Sequence, residues 1–196
     1  KIKEFVDDIR RAGMKILGPS VNHSMRYFGV EDGAIRYGLG AIKGVGTRVA
    51  DGIAENRAAH GPYANLDDLC ERLESAALNK TALESLVQSG AFDDMGRTRA
   101  GNAAHIEQAI RAAASAREDR RRGQAMLFAP PPIETALDEE NGVPEWPEHD
   151  RLTREKESLG FYLSGHPFEK RGGFLKRIAG NTTATVGQLQ PSESVR

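Results

Sequence analysis

Residues 39–53 are LGAIKGVGTRVADGI, and their pattern decides the fold of the chain around them. Apolar residues step along this stretch by three, three, four and four positions, which is the spacing of one helix face. They are Leu39, Ile42, Val45, Val49 and Ile53. Because Gly44 and Gly46 interrupt the stripe, the pattern predicts two helices that share one core rather than a single helix.

The two glycines also give the turn between these helices a chemical use. Glycine permits a positive φ and lacks a Cβ, so backbone N–H groups can approach a surface closely. The turn opens into a helix at Thr47, whose first N–H groups are unpaired and lie at the positive end of the helix dipole. With Lys43 and Arg48 beside it, and with Val45 expected to point back between the helices, residues 43–48 (the glycine hairpin) suit a phosphate.

This is the design of a helix-hairpin-helix motif, which holds DNA through its phosphates without reading bases. For residues 43–48 alone, a tight helical corner whose glycines only make the turn is an equally good interpretation. A second helical pair in residues 78–96, LNKTALESLVQSGAFDDMG, favours DNA binding. Tandem hairpins can hold duplex DNA without sequence preference, and such binding weakens with salt.

The same rules predict further elements along the chain. A first helix carries Ile2, Phe5, Val6 and Ile9 and ends near Gly13, and residues 16–24 form a loop or an extended segment. A β-hairpin turns at Asp32-Gly33, with Val30 opposite Ile35 and Phe28 opposite Tyr37 on one face. A third helix buries Leu66, Leu69, Cys70 and Leu73, and a fourth has Asn79 as N-cap, Leu83, Leu86 and Val87 inward and Gly90 as its stop.

Later elements are separated by a tether. Residues 98–122 predict a long helix with Ile106, Ile110, Ala113 and Ala114 along one side. Asp150 is expected to cap a helix that carries Leu152, Leu159, Tyr162 and Leu163. Trp146 is expected to anchor the tether to a helix, with stacking on a base as the alternative. The β-branched stretch TTATVGQL at 182–189 predicts a strand.

Composition excludes several classes of protein. The chain has 196 residues and a net charge of -1, so its total charge indicates no partner. A single cysteine permits no intrachain disulfide and fits a reducing compartment. No apolar run approaches the roughly 18 residues that a membrane span needs. The chain starts without methionine and ends just after a strand-like stretch, so we expect a piece of a larger protein.

Charge is distributed unevenly along the chain. Residues 97–122 hold seven arginines and three acids, whereas residues 129–158 hold nine acids and three bases. This contrast predicts a helical block followed by an acidic, proline-rich tether.

No catalytic or metal site is predicted. Three carboxylate pairs, Asp7-Asp8, Asp67-Asp68 and Asp93-Asp94, fall in helical or cap settings, where solvated faces or caps are expected. The histidines at 23, 60, 105, 149 and 166 are scattered, and no cysteine lies at zinc spacing from them.

Residues 120–132, RRRGQAMLFAPPP, place large apolar side chains where three prolines prevent a helix or a sheet ladder. The segment therefore cannot fold over its own apolar residues.

Five stretches, in this order, resemble the family of bacterial DNA polymerase III alpha subunits, the C-family replicative polymerases. GMKILGPSVNHS at 13–24 resembles the end of the fingers, and AIRYGLGAIKGVG at 34–46 with LNKTALESLVQSGAFD at 78–93 resembles the tandem helix-hairpin-helix module. GQAMLF at 123–128 is similar to the internal sliding-clamp motif, and EKESLGFYLSGHP at 155–167 to the segment that leads into the OB-fold.

The resemblance implies a mainly α fold: a helical tandem helix-hairpin-helix module, an extended linker, a short helix and the beginning of a β (OB-fold) domain. The implied domains are the end of the fingers (1–33), the tandem helix-hairpin-helix domain (34–122), a linker with the clamp motif (123–149), a helical connector (150–180) and the start of the OB-fold (181–196).

The resemblance also implies the partners. Duplex DNA would contact Lys43, Gly44, Val45, Gly46, Thr47 and Arg48. The bacterial sliding clamp (beta subunit) would take Gln124 at a polar site and Leu127 and Phe128 in an apolar pocket, with Ala125 and Met126 as spacers. Other replicase subunits are expected as further partners, and the expected location is the bacterial cytoplasm. No membrane partner is expected. The family's catalytic aspartates, and the Mg²⁺ they imply, have no counterpart in this sequence.

Three functions remain open at this point. The first is a DNA-holding and clamp-binding region that supports processive synthesis by a replicative polymerase. The second is a stand-alone helix-hairpin-helix protein of repair or recombination, and the third is an interaction scaffold whose glycines only make turns. An error-prone C-family polymerase is a variant of the first, although QAMLF favours the processive replicative form.

Overall fold

The computed structural model describes residues 2–73, 78–121, 142–165 and 167. The chain divides into two compact units, residues 1–163 and residues 164–196, and the elements below belong to the first. Its helices are α1 (Ile2–Arg11), α2 (Thr47–His60), α3 (Leu66–Arg72), α4 (Lys80–Gln88), α5 (Arg99–Arg121) and α6 (Glu148–Leu159). Its strands are β1 (Ile16–Leu17), β2 (Gly29–Glu31) and β3 (Ala34–Arg36). The mainly α prediction is confirmed.

A small sheet has the strand order β1-β3-β2, in which β1 is parallel and β2 antiparallel to β3. The predicted register is confirmed, since Val30 pairs with Ile35. Asp32 and Gly33 both have positive φ, at 50° and 75°, as a tight two-residue turn requires. At the inner end of the sheet the rings of Phe28 and Tyr37 lie 4.7 Å apart, whereas the side chain of Val30 is exposed at the outer end.

The apolar stripe of residues 39–53 is buried along its whole length. Its first part is a 3₁₀ turn, Leu39–Ala41, and not the helix that the spacing predicts. The amides of Leu39 and Gly40 donate to the carbonyls of Met25 and Arg26, at 2.8 and 2.9 Å. These two amides are therefore bonded to a neighbouring segment and not to a preceding helical turn. The stripe therefore joins a turn and one helix in a single core.

The second helical pair forms as its local signals predict. The side chain of Asn79 accepts a hydrogen bond from the Ala82 amide at the start of α4, and Gly90 follows the helix with φ 84°. Asn65 caps α3 in the same way through the Asp68 amide. Both helices pack against α5. On α5, Ala114 is exposed, so its predicted place on the inner side is wrong; the stripe runs instead through Ile106, Ala109 and Ala113.

Helix α6 joins the same compact unit. It begins at Glu148 after Pro147, so Asp150 lies inside its first turn and is not the N-cap that was predicted. It ends at Leu159 and is capped by Gly160, where φ is 86°, so Tyr162 and Leu163 lie beyond the helix that was predicted to carry them. The guanidinium carbon of Arg154 lies 4.5 Å from the centre of the ring of Trp146, which packs against the core, so the predicted anchoring role of Trp146 is confirmed.

A buried charge cluster joins α6 to the start of α5. Glu155 on α6 is fully buried, and its Oε2 lies 3.2 Å from Nη1 of Arg99 at the start of α5. The Leu163 amide donates to Oε1 of Glu155 at 2.7 Å. Arg99 also binds Asp93 at 2.6 Å and the Gln88 carbonyl at 3.1 Å. One guanidinium thus joins two segments whose contacting residues, Arg99 and Glu155, are 56 positions apart.

Candidate nucleic-acid interface

The glycine hairpin presents its backbone to solvent. The Val45 amide donates to the Ile42 carbonyl at 3.1 Å and closes the turn, and the side chain of Val45 is buried, as predicted. Lys43, Gly44, Gly46, Thr47 and Arg48 are all exposed. Five of the six predicted contact residues therefore form one continuous exposed surface, and the buried side chain of Val45 anchors this surface to the core.

Gly44 is explained by the fold itself. Its φ is 87°, a conformation that favours glycine. A Cβ on Gly44 would lie 2.6 Å from the Oγ of Ser85 on α4, which is closer than real contacts allow. A side chain at position 44 would therefore disturb the contact between the hairpin and α4.

Gly46 has no such internal reason. Its φ of -70° and ψ of 158° suit any residue, and a Cβ there would meet nothing within 4 Å. It is the N-cap of α2, a position where α3 and α4 use asparagine side chains. The missing side chain leaves the start of α2 open to a group from outside the chain.

The start of α2 is also electrostatically suited to an anion. The amides of Val49 and Ala50 return to the Gly46 carbonyl at 3.0 and 3.1 Å, so those of Thr47 and Arg48 precede the first bonds of the helix. No side chain caps this end, and no acid lies in its first turn. The side chains of Lys43 and Arg48 form no ion pair within the described ranges. Lys43 is held through its backbone amide, which donates to the Ser158 carbonyl of α6 at 2.9 Å.

The second hairpin, residues 89–98, differs from the first because an internal carboxylate occupies the helix start that follows it. Glu145 accepts hydrogen bonds from the amides of Arg99 and Ala100, at 2.9 and 3.2 Å. Thr98 caps the same end through the Gly101 amide. Glu145 lies 46 residues from Arg99. Sequence reasoning did not identify this contact, because no local pattern links positions that far apart.

Two of the three carboxylate pairs, Asp67-Asp68 and Asp93-Asp94, are bound by internal partners. Asp67 accepts from Nε2 of His105 at 2.7 Å, and Asp68 binds the Arg72 guanidinium at 3.1 Å. Asp93 binds Arg99, and Asp94 accepts from the Ser20 hydroxyl at 2.8 Å. Within the described ranges no group of three or more His, Cys, Asp or Glu side chains is arranged so that it could hold a metal ion. The carboxylates of the described residues therefore do not fit a Mg²⁺ site.

The predicted clamp residues 124–128 and the predicted strand at 182–189 lie outside the described residues. Cys70 is buried in the core, as predicted, and burial raises the pKa of its thiol to about 12. None of the described helices has the length and hydropathy of a membrane span.

Comparison with known proteins agrees with this geometry. Residues 13–102 match the family model of a helix-hairpin-helix motif. The chain is 39% identical over 193 residues to the DNA polymerase III subunit alpha of Xylella fastidiosa, covering 94% of this chain and 16% of that protein. It is 39% identical over 196 residues to the subunit of the same name in Escherichia coli, covering 98% and 17%. The corresponding protein of Neisseria meningitidis is 35% identical over 199 residues, covering 100% of this chain and 17% of the relative.

Proposed function

Because this chain belongs to the family of DNA polymerase III alpha subunits and spans about a sixth of their length, we propose that it holds duplex DNA through the phosphate backbone in a replicative polymerase. The observation that carries the proposal is Gly46, an exposed helix cap with no side chain and no internal reason to lack one. A phosphate at this position would accept from main-chain amides and lie beside Lys43 and Arg48.

Contacts of this kind position DNA without reading its sequence. The donors are backbone amides and two flexible cations, and none of these groups is held in the rigid bidentate geometry that base recognition uses. Binding should therefore be alike for unrelated duplexes and should weaken steeply with salt, because each neutralised phosphate releases counterions.

Gly46→Ala tests this proposal, with Gly29→Ala as a matched control. Both glycines have room for a Cβ and neither has a positive φ, but Gly29 lies in β2. Fluorescence anisotropy with two unrelated duplexes across a salt series should show weaker binding of both by Gly46→Ala and no change for Gly29→Ala. Lys43→Ala and Arg48→Ala should each lower the salt slope by about 1. Weakened binding of only one duplex, or equal effects of the two glycine variants, would contradict the proposal.

We also propose that residues 123–129 bind the bacterial sliding clamp as an extended peptide and so support processive synthesis. The support is the resemblance of GQAMLF to the clamp motif and the prolines that follow it, since they prevent a helical binding mode. Burial of Leu127 and Phe128 would contribute on the order of 1.5–3 kcal/mol each. Ordering the peptide opposes this gain, so the affinity should be modest, roughly micromolar.

The clamp proposal is tested by titration with purified clamp. Replacing Leu127 and Phe128 together by alanine should abolish binding, and Gln124→Ala should reduce it. Duplex affinity serves as the control, because the glycine hairpin is unchanged in these variants. Clamp binding by the double-alanine variant with the affinity of the parent would overturn this assignment.

Polymerisation itself, with its Mg²⁺ and its contacts to other replicase subunits in the bacterial cytoplasm, belongs in this proposal to the longer protein. Two-metal chemistry requires convergent carboxylates on a rigid support. The pairs Asp67-Asp68 and Asp93-Asp94 are bound by internal partners, and no metal-holding group forms within the described ranges, so we expect no nucleotide incorporation by this chain alone. Metal-dependent incorporation by the purified chain would contradict that expectation.

A further inference from the structure

Helix α4 places two side chains that carry hydroxyl groups, Thr81 and Ser85, beside the glycine hairpin. Thr81 and Ser85 are four residues apart, so they lie on the same face of the helix. Measured from the position that a Cβ of Gly44 would take, the Thr81 Cγ2 is 3.7 Å away and the Ser85 Oγ is 2.6 Å away. Both side chains are therefore immediate neighbours of the hairpin backbone.

Neither hydroxyl is used within the described ranges. Hydroxyls elsewhere in this unit donate to backbone carbonyls, as Ser89 does to Leu86 and Thr153 does to His149, both at 2.8 Å. No such bond is formed by Thr81 or Ser85; the first is exposed and the second partly exposed. Both hydroxyls are thus available to a ligand that lies on the hairpin.

The charge next to them is already neutralised. Nζ of Lys80 lies 2.5 Å from Glu107 and 3.9 Å from Glu84. The hydrogen bond and charge of Glu107 raise the pKa of Lys80, and the hydrogen bond and charge of Lys80 lower the pKa of Glu107. This side of the hairpin therefore offers neutral hydrogen-bond donors rather than a free cation.

We propose that Thr81 and Ser85 donate hydrogen bonds to phosphate oxygens of the DNA strand that the glycine hairpin holds. This inference rests on the proposed DNA binding. It adds a second contact surface to the same phosphodiester site, formed by Thr81 and Ser85 (the α4 wall). Hydroxyl groups are common partners of DNA phosphates and carry no sequence information there. The wall lengthens the contact with the backbone without adding to the counterions released.

The experiment compares Thr81→Val and Ser85→Ala with the parent and with Thr153→Val. The control removes a hydroxyl whose bond is internal to α6. Duplex affinity, its salt slope and the thermal midpoint Tm are measured for each. Thr81→Val and Ser85→Ala should each weaken duplex binding roughly three- to tenfold, with the parental salt slope and Tm. Thr81→Ser, which keeps the hydroxyl, should bind like the parent.

The outcomes separate this inference from the proposal on which it rests. If Gly46→Ala weakens binding and the two hydroxyl variants do not, the α4 wall is wrong and the hairpin site stands. If the hydroxyl variants lose affinity only in proportion to lost stability, or if Thr81→Ser is as weak as Thr81→Val, the hydroxyls do not contact phosphate. If the parent itself fails to bind duplex, both the hairpin site and the wall are overturned.

Discussion

Replacing Gly44 by alanine should destabilise the folded chain for two separable reasons. The first is the backbone: φ is 87° at this position, and a left-handed conformation costs an L-residue about 1–2 kcal/mol. The second is the contact with α4, since the new Cβ would lie 2.6 Å from the Oγ of Ser85. Because this Oγ is the end of a side chain that can rotate, relief of the contact costs roughly 0.5–1.5 kcal/mol. The two effects together predict a loss of about 1.5–3.5 kcal/mol in the free energy of unfolding.

A second substitution separates the two effects. Ser85→Ala removes the Oγ, and the nearest remaining atom of that residue would be its Cβ at 3.5 Å, an ordinary contact distance. Alone, Ser85→Ala should change the stability by no more than about 0.5 kcal/mol, as most partly exposed substitutions do. In the Gly44→Ala background it should restore about 0.5–1.5 kcal/mol and leave the backbone cost. The pair should therefore show a favourable coupling energy.

Urea unfolding measures these changes through far-UV circular dichroism and the fluorescence of Trp146, the single tryptophan, which packs against the core. Gly46→Ala is the matched control in the same hairpin, because its φ is -70° and its Cβ would meet nothing. Alanine is a poorer N-cap than glycine, which lowers the stability, but it also makes the unfolded chain less flexible, which raises it. Because these two effects nearly cancel, the free energy of unfolding should change by no more than about 0.5 kcal/mol. Strictly additive effects of Gly44→Ala and Ser85→Ala would refute the contact argument, and an equally damaging Gly46→Ala would refute the backbone argument.

Three further predictions concern the core. Burial raises the pKa of Tyr37 to about 12 from 10.0, so stability that is complete below pH 10 should fall as the pH rises from 10 to about 12, and urea midpoints of Tyr37→Phe should show a smaller alkaline loss. Arg99→Ala should lower stability by about 3–5 kcal/mol, because it removes the guanidinium from buried Glu155; a thermal midpoint near that of the parent would contradict this. The Cys70 thiol, with its pKa raised to about 12, should react with a thiol reagent only in denaturant, and fast labelling of the native chain would show that it is not buried.

Local chemistry explains which elements could be predicted from the sequence. Asn79 and Gly90 bound α4 because a side-chain cap and a left-handed glycine act within a few residues of the helix ends. The Asp32-Gly33 turn fixes the register of β2 and β3 for the same reason. The buried stripe from Leu39 to Ile53 follows from side-chain spacing alone.

The errors arise where distant segments compete for the same groups. Leu39 starts a 3₁₀ turn because residues 25 and 26 take its amide and that of Gly40, a contact that no short pattern announces. The contact between Gly44 and Ser85 joins residues 41 positions apart. From the sequence, Gly44 could be explained only as a turn residue or as a phosphate contact, whereas the structure shows that a side chain at position 44 would also collide with Ser85. From the sequence, Gly44 and Gly46 have the same explanation. In the structure, a side chain is excluded at Gly44 by α4, whereas the fold leaves room for one at Gly46.

That separation, together with the difference between the two hairpins, bears on which surface meets DNA. At the start of α5 the Glu145 carboxylate already accepts from two backbone amides, so this helix end binds an anion supplied by the chain itself. At the start of α2 the equivalent amides have no acid in the first turn and no capping side chain. Any phosphate at the second hairpin would have to displace a carboxylate of the same charge sign, whereas at the first it would displace water. If the chain holds duplex DNA as proposed, the glycine hairpin is therefore the helix end at which a phosphate would bind more favourably.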